Sequence, residues 1–137
     1  MKSVSVLADE PLVRSLLHRM LERKGFTLRD YADCTRPQNP GDCELACCPD
    51  DIPPDLLVVE IVVPRNCSGV EIAGKSLIRW PGLKILLTSG TPVSFWPPAA
   101  KEAFSLLPEA SCRFLAKPFT AGQFDAALHV LGLSASA

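Results

Sequence analysis

The stretch "DLLVVEIVVP", residues 55–64, decides the fold. Leu56 to Val59 is an unbroken apolar run, the pattern of a strand buried on both faces as in a helix-covered parallel sheet. Glu60 interrupts it. Burying an ionised carboxylate without compensation costs roughly several kcal/mol, so Glu60 must be paired, neutral or at a strand end. The loop "PRNCSG" that follows favours a strand end, with the acid meeting partners brought there by other segments.

Outward from this strand the chain alternates. "SVSVLA" (3–8) reads as a short buried strand closed by acids, and Val13, Leu16, Leu17, Met20 and Leu21 then recur at helical spacing. Pro11 suits the first turn of that helix and Gly25 its end. "FTLRDY" (26–31) alternates as a second strand. "CTRPQNPGDCELACCPDDIPPD" then holds too many prolines and turn residues for a long helix, with at most a turn or two around Glu44 to Cys48.

After Glu60, Ser68 and Glu71 form a capping-box pair, and Pro81 with Gly82 stops the helix they open. "LKILLT" (83–88) is another apolar strand, "SGTPVSFWPP" a loop, and "AAKEAFSLL" (99–107) a short helix ended near Pro108. "CRFLA" (112–116) is the last strand. Thr120 and Gln123 form a second capping box, opening a helix with Phe124, Leu128 and Leu131 on one face.

Strands alternating with helices predict an α/β fold with a parallel sheet covered on both faces. In such sheets functional groups collect at the carboxyl ends of the strands. Those ends are Asp9 and Glu10, then Glu60, then Thr88 and Ser89, then Lys117, so acids, hydroxyls and one lysine converge on one edge.

Composition bounds the rest. With 137 residues and 47% hydrophobic content the chain encloses one core, so a single domain is expected over 1–133, with an irregular Pro/Cys-rich insertion at 34–54 and a tail at 134–137. A net charge of -1 with scattered basic residues argues against nucleic-acid binding. No run approaches a membrane span or a signal-peptide core, and a cytoplasmic protein is expected.

Four of the six cysteines, Cys34, Cys43, Cys47 and Cys48, crowd into the insertion. The C-x3-C-C spacing lacks the C-x2-C pairs usual for zinc or iron-sulfur sites. Free thiols are expected, with a metal- or redox-responsive domain as the alternative reading. Cys67 lies in the loop beyond Glu60, and Cys112 is expected in the core. His18 and His129 read as solvated helix surface. Trp96 is expected to pack over the sheet edge, an exposed docking anchor being the alternative.

In order and spacing, "VLADEPLVRSLLHRMLERKGF", "PDLLVVEIVVP", "GLKILLTSG" and "RFLAKPF" resemble the first strand and helix, phosphorylation-site strand, fourth strand and lysine-proline segment of response-regulator receiver domains. The resemblance covers nearly all of the chain. It implies a flavodoxin-like, doubly wound sheet of five strands in order 2-1-3-4-5, its second helix here shortened or replaced by the Pro/Cys-rich loop. It further implies two-component phosphorelay signalling of the bacterial kind. There an aspartate accepts a phosphoryl group from a histidine kinase, Mg2+ held by acids offsets the charge, and a hydroxyl, a lysine and an aromatic complete the switch.

By position the resemblance makes Asp9 the main acidic Mg2+ ligand, Glu60 the phosphoacceptor position and the Val62 carbonyl a further ligand. Thr88 becomes the switch hydroxyl, Lys117 the phosphate-binding lysine and Phe114 the reporting aromatic. Lys117-Pro118 resembles the family's cis-proline turn.

Three features depart from the pattern: Glu60 replaces the acceptor aspartate, Ala8 replaces the first acid of the pair, and the second helix is altered. The first displaces the attacking oxygen and the second weakens Mg2+ binding. The expectation is a non-enzymatic pseudo-receiver that acts on a protein partner, a histidine kinase or a downstream signalling protein, with pairing of two copies left open. Phosphorylation of Glu60 itself is the remaining alternative.

Overall fold

The computed structural model describes residues 2–8, 11–29, 54–61 and 69–133. The expected insertion at 34–54, apart from Pro54, and with it Cys34, Cys43, Cys47 and Cys48, lies outside these residues, as do Asp9, Glu10, Val62, Cys67, Ser68 and the tail at 134–137.

The elements are β1 (Ser3–Leu7), α1 (Pro11–Arg23), β2 (Thr27–Arg29), β3 (Leu56–Glu60), α2 (Gly69–Arg79), β4 (Lys84–Ser89), a single 3-10 turn (Val93–Phe95), α3 (Pro98–Ser105), β5 (Cys112–Ala116) and α4 (Ala121–Val130). All strand pairs are parallel, in the order β2-β1-β3-β4-β5. This is the doubly wound arrangement that the alternation predicts.

Strand alternation divides the core into two layers, because successive side chains leave a strand on opposite faces. Val4, Val6, Leu56, Val58 and Leu86 pack with Leu17 and Leu21 of α1 and with Phe124 and Leu128 of α4. On the other face Leu57, Val59, Ile85 and Leu87 pack with Val70 and Ala73 of α2 and Ala100 of α3. β3 is buried along its whole length, which is why its sequence does not alternate.

The helix ends follow their sequence signals. Gly25, at φ 88°, closes α1: its N–H donates to the Glu22 carbonyl and that of Phe26 to the Leu21 carbonyl. This closure needs the left-handed backbone that glycine adopts without penalty, and it returns Phe26 to the core. At the start of α4 the Thr120 hydroxyl accepts from the Gln123 N–H at 3.1 Å, and the Gln123 side chain accepts from the Thr120 N–H at 2.9 Å. The second predicted capping box is therefore formed.

Two surface readings are corrected. Leu16 is 58% exposed rather than part of the buried stripe. The inward face of α1 is narrower, with Leu17 and Leu21 fully buried and Val13 and Met20 partly so. His18 is half-buried rather than solvated, whereas His129 is exposed as expected. Among the described residues no helix is long and apolar enough to cross a membrane.

Candidate functional site

At the carboxyl edge of the sheet, strand register sets a row of side chains. Leu7 pairs with Val59 and Glu60 with Thr88, which in turn pairs with Leu115. One residue past Leu7, Ala8 falls beside Glu60, and both share the parity of the layer under α1 and α4. A methyl, a carboxylate and a hydroxyl thus stand side by side on one face, and Lys117 enters from the end of β5.

The backbone beneath them is fixed. The Ile61 N–H donates to the Thr88 carbonyl at 2.7 Å, one hydrogen bond beyond the end of β3. The Lys117 N–H donates to the Ser89 carbonyl at 2.9 Å, so the lysine is tied to β4 as well. The Lys117-Pro118 peptide is cis, as the resemblance implies.

Glu60 is 1% exposed, and its Oε2 accepts from the Lys117 ammonium in an ion pair. Lys117 keeps 30% of its side-chain surface exposed, its stem running inward and its charged end meeting the acid. This answers how a carboxylate tolerates the end of a fully buried strand. Thr88 is equally buried, and among the described residues its Oγ1 has no hydrogen-bond partner.

Phe114 belongs to the opposite face. Its ring meets Trp96 edge-on at 5.7 Å and Phe104 at 6.0 Å, and Trp96 meets Phe104 at 5.5 Å, closing a trio of edge-to-face contacts. Trp96 is 2% exposed and its Nε1–H donates to the Thr91 carbonyl at 3.0 Å, so the packed reading holds and the anchor reading does not. The outward aromatic of "SFWPP" is its neighbour Phe95, 74% exposed. The bond to Thr91 is what lets the indole go inside.

Two contributors escaped the sequence reading. Arg14, in the first turns of α1, donates from Nη1 to the Ala8 carbonyl at 3.1 Å and brings a guanidinium to the end of β1. Its position one turn before the buried Leu17 was the available signal. Gly69 begins α2 against β3, where a Cβ would lie 2.7 Å from Ile61 Cδ1 and 2.8 Å from Val59 Cγ1.

Of the three expected Mg2+ ligands only Glu60 lies among the described residues, and one of its oxygens is taken by Lys117. Ala8 supplies a buried methyl where the resemblance puts an acid. Among the described residues no three His, Cys, Asp or Glu side chains come together as a metal site. Among the described residues the donors do not make a divalent-cation site. Cys112 is buried as expected, which pushes its thiol up to about 11 and keeps it protonated and unreactive at neutral pH.

No protein-family model matches the chain, and no curated protein matches it in sequence. Solved structures do. A response-regulator receiver protein from Sinorhizobium medicae is similar at TM-score 0.68 and 20% identity, over 96% of this chain and 94% of that one. The chemotaxis protein CheY4 of Vibrio cholerae gives TM-score 0.66 and 20% identity, over 96% of this chain and 98% of that one. A receiver protein from Burkholderia phymatum gives 0.65 and 20%, with both chains covered at 100%. With five parallel strands in the order 2-1-3-4-5, the chain has the flavodoxin-like fold of the response-regulator receiver domains it resembles.

Proposed function

We propose that the chain is an atypical response-regulator receiver module, a pseudo-receiver that signals by protein contact and is neither phosphorylated on an aspartate nor an enzyme. One observation carries this reading: the position of the acceptor aspartate holds Glu60, and its carboxylate is ion-paired with Lys117. A phosphoryl group arriving there would have to displace the lysine it also needs as a donor, and would meet an oxygen shifted by one methylene from the aspartate's reach. The partner is a histidine kinase or a downstream signalling protein, and the same reading puts the module in the cytoplasm.

Incubation with acetyl phosphate and Mg2+ followed by intact-mass measurement tests it. No added phosphoryl group is expected; a stoichiometric, acid-labile gain would mean that Glu60 is a phosphoacceptor and would sink the proposal. Partner affinity of Glu60→Asp and Glu60→Gln then separates a built-in signal from an inert ion pair. A signal requires both variants to bind more weakly, and equal affinity in all three proteins marks the pair as inert.

A further inference from the structure

Ser89 ends β4 on the aromatic face. Its side chain shares the parity of Ile85 and Leu87, opposite to that of Thr88, and is buried. Its Oγ accepts from the Thr91 N–H at 3.0 Å, and the Thr91 carbonyl accepts from the Trp96 Nε1–H at 3.0 Å. Trp96 in turn meets Phe114 and Phe104 edge-on. The circuit closes through β5, because Lys117, further along the same segment as Phe114, donates its N–H to the Ser89 carbonyl. We propose that this circuit is a brace, with the Ser89 hydroxyl as its link, that holds Phe114 in one arrangement whatever happens on the opposite face at Glu60.

For Phe114 to turn, Trp96 must move or the ring must give up its edge-to-face contacts with Trp96 and Phe104. For Trp96 to move, its buried indole N–H must leave the Thr91 carbonyl, and a buried donor without an acceptor is costly. For Thr91 to follow the ring, its own N–H must leave the Ser89 hydroxyl. The main chain around the indole is held as well. The Phe95 N–H donates to the Pro92 carbonyl and the Trp96 N–H to the Val93 carbonyl, both at 2.9 Å, and Pro92, Pro97 and Pro98 fix φ on either side. A displacement arriving from Glu60 along β4, or through Lys117, therefore meets Ser89 where both its carbonyl and its hydroxyl are already engaged. The position that the resemblance makes the reporting aromatic becomes a fixed part of the layer.

Hydrogen exchange of the Trp96 indole N–H, followed by nuclear magnetic resonance on the full chain, tests this. The chain has two tryptophans, and Trp80→Phe assigns their indole signals. Exchange is read relative to the backbone amides of β3, so that a general loss of stability cancels. In Glu60→Gln and Glu60→Asp the Trp96 rate should stay within about twofold of wild type, whereas Ser89→Ala should raise it by more than about tenfold. A rise of more than about twofold in either Glu60 variant would show that the aromatic layer follows the acid, and would overturn the brace. A folded Ser89→Ala whose rate rises by less than about tenfold would remove the hydroxyl as its link and overturn the proposal too. If Ser89→Ala does not fold, the Glu60 variants decide. The brace does not rest on the phosphorylation reading: phosphoryl uptake at Glu60 with an unmoved Trp96 signal would overturn the proposed function alone.

Discussion

The two layers over the sheet differ in what they carry to its carboxyl edge. Beneath α1 and α4 the packing is mostly aliphatic, with Phe124 stacked on Phe119 at 5.7 Å, and it ends in the row Ala8, Glu60, Thr88. Beneath α2 and α3 it ends in the rings of Trp96, Phe104 and Phe114. Charge and aromatic surface therefore lie on opposite faces. A change at Glu60 can reach Phe114 by way of Thr88 and its register partner Leu115, or through Lys117 at the end of β5. The lesson is that the polar site rests on a mostly aliphatic layer, and among the described residues its order comes from backbone hydrogen bonds and the Glu60–Lys117 ion pair.

That division can be broken most severely from the aliphatic side. Phe124 is fully buried, so Phe124→Ala should cost about 3–5 kcal/mol in urea unfolding, the sum of lost burial and an unfilled cavity. Because both tryptophans, Trp80 and Trp96, pack in the other layer, their fluorescence in the folded variant should stay at the wild-type wavelength; a shift would show that the layers are mechanically joined.

A smaller effect is expected from Gly69→Ala, which drives a methyl into Val59 and Ile61 on the aromatic side of β3. Val59 is β-branched and has little freedom to yield, so a loss of about 1–3 kcal/mol should appear in thermal or urea melts. An unchanged melt would mean that α2 slides off the strand at no cost.

Thr88→Val should have the smallest effect. With its hydroxyl buried and lacking a partner among the described residues, valine should alter stability by less than about 1 kcal/mol, and in the stabilising direction if at all. A loss of about 2 kcal/mol or more would show that the hydroxyl is bonded within the folded chain. Were partner binding to weaken while stability held, the hydroxyl would belong to the signalling surface.

The sheet was readable because its causes are local. Continuous apolar runs gave β3 and β4, Pro11 and Gly25 bracketed α1, and Thr120 with Gln123 opened α4. The convergence of Glu60, Thr88 and Lys117 on one edge followed from topology, since parallel strands put all their carboxyl ends together. What stayed hidden depends on distances between segments far apart in sequence. Nothing in the order of residues says which carbonyl Arg14 reaches, that Leu16 turns outward while Leu17 goes in, or that the Trp96 N–H finds the Thr91 carbonyl. The closeness of Gly69 to Val59 and Ile61 likewise appears only when helix and strand are docked.

The hydrogen bonds that fix the backbone on either side of the Glu60–Lys117 pair have a consequence for how residue 60 can vary. With Ile61 bonded to the Thr88 carbonyl and Lys117 to the Ser89 carbonyl, neither main chain is free to close a gap. Reach must then come from the side chain alone, and removing one methylene would withdraw the carboxylate by about 1.5 Å. Glu60→Asp thus keeps the charge and loses the span, while Glu60→Gln keeps the span and loses the charge. Length and charge, which usually change together in a damaged site, are separable variables at this one position.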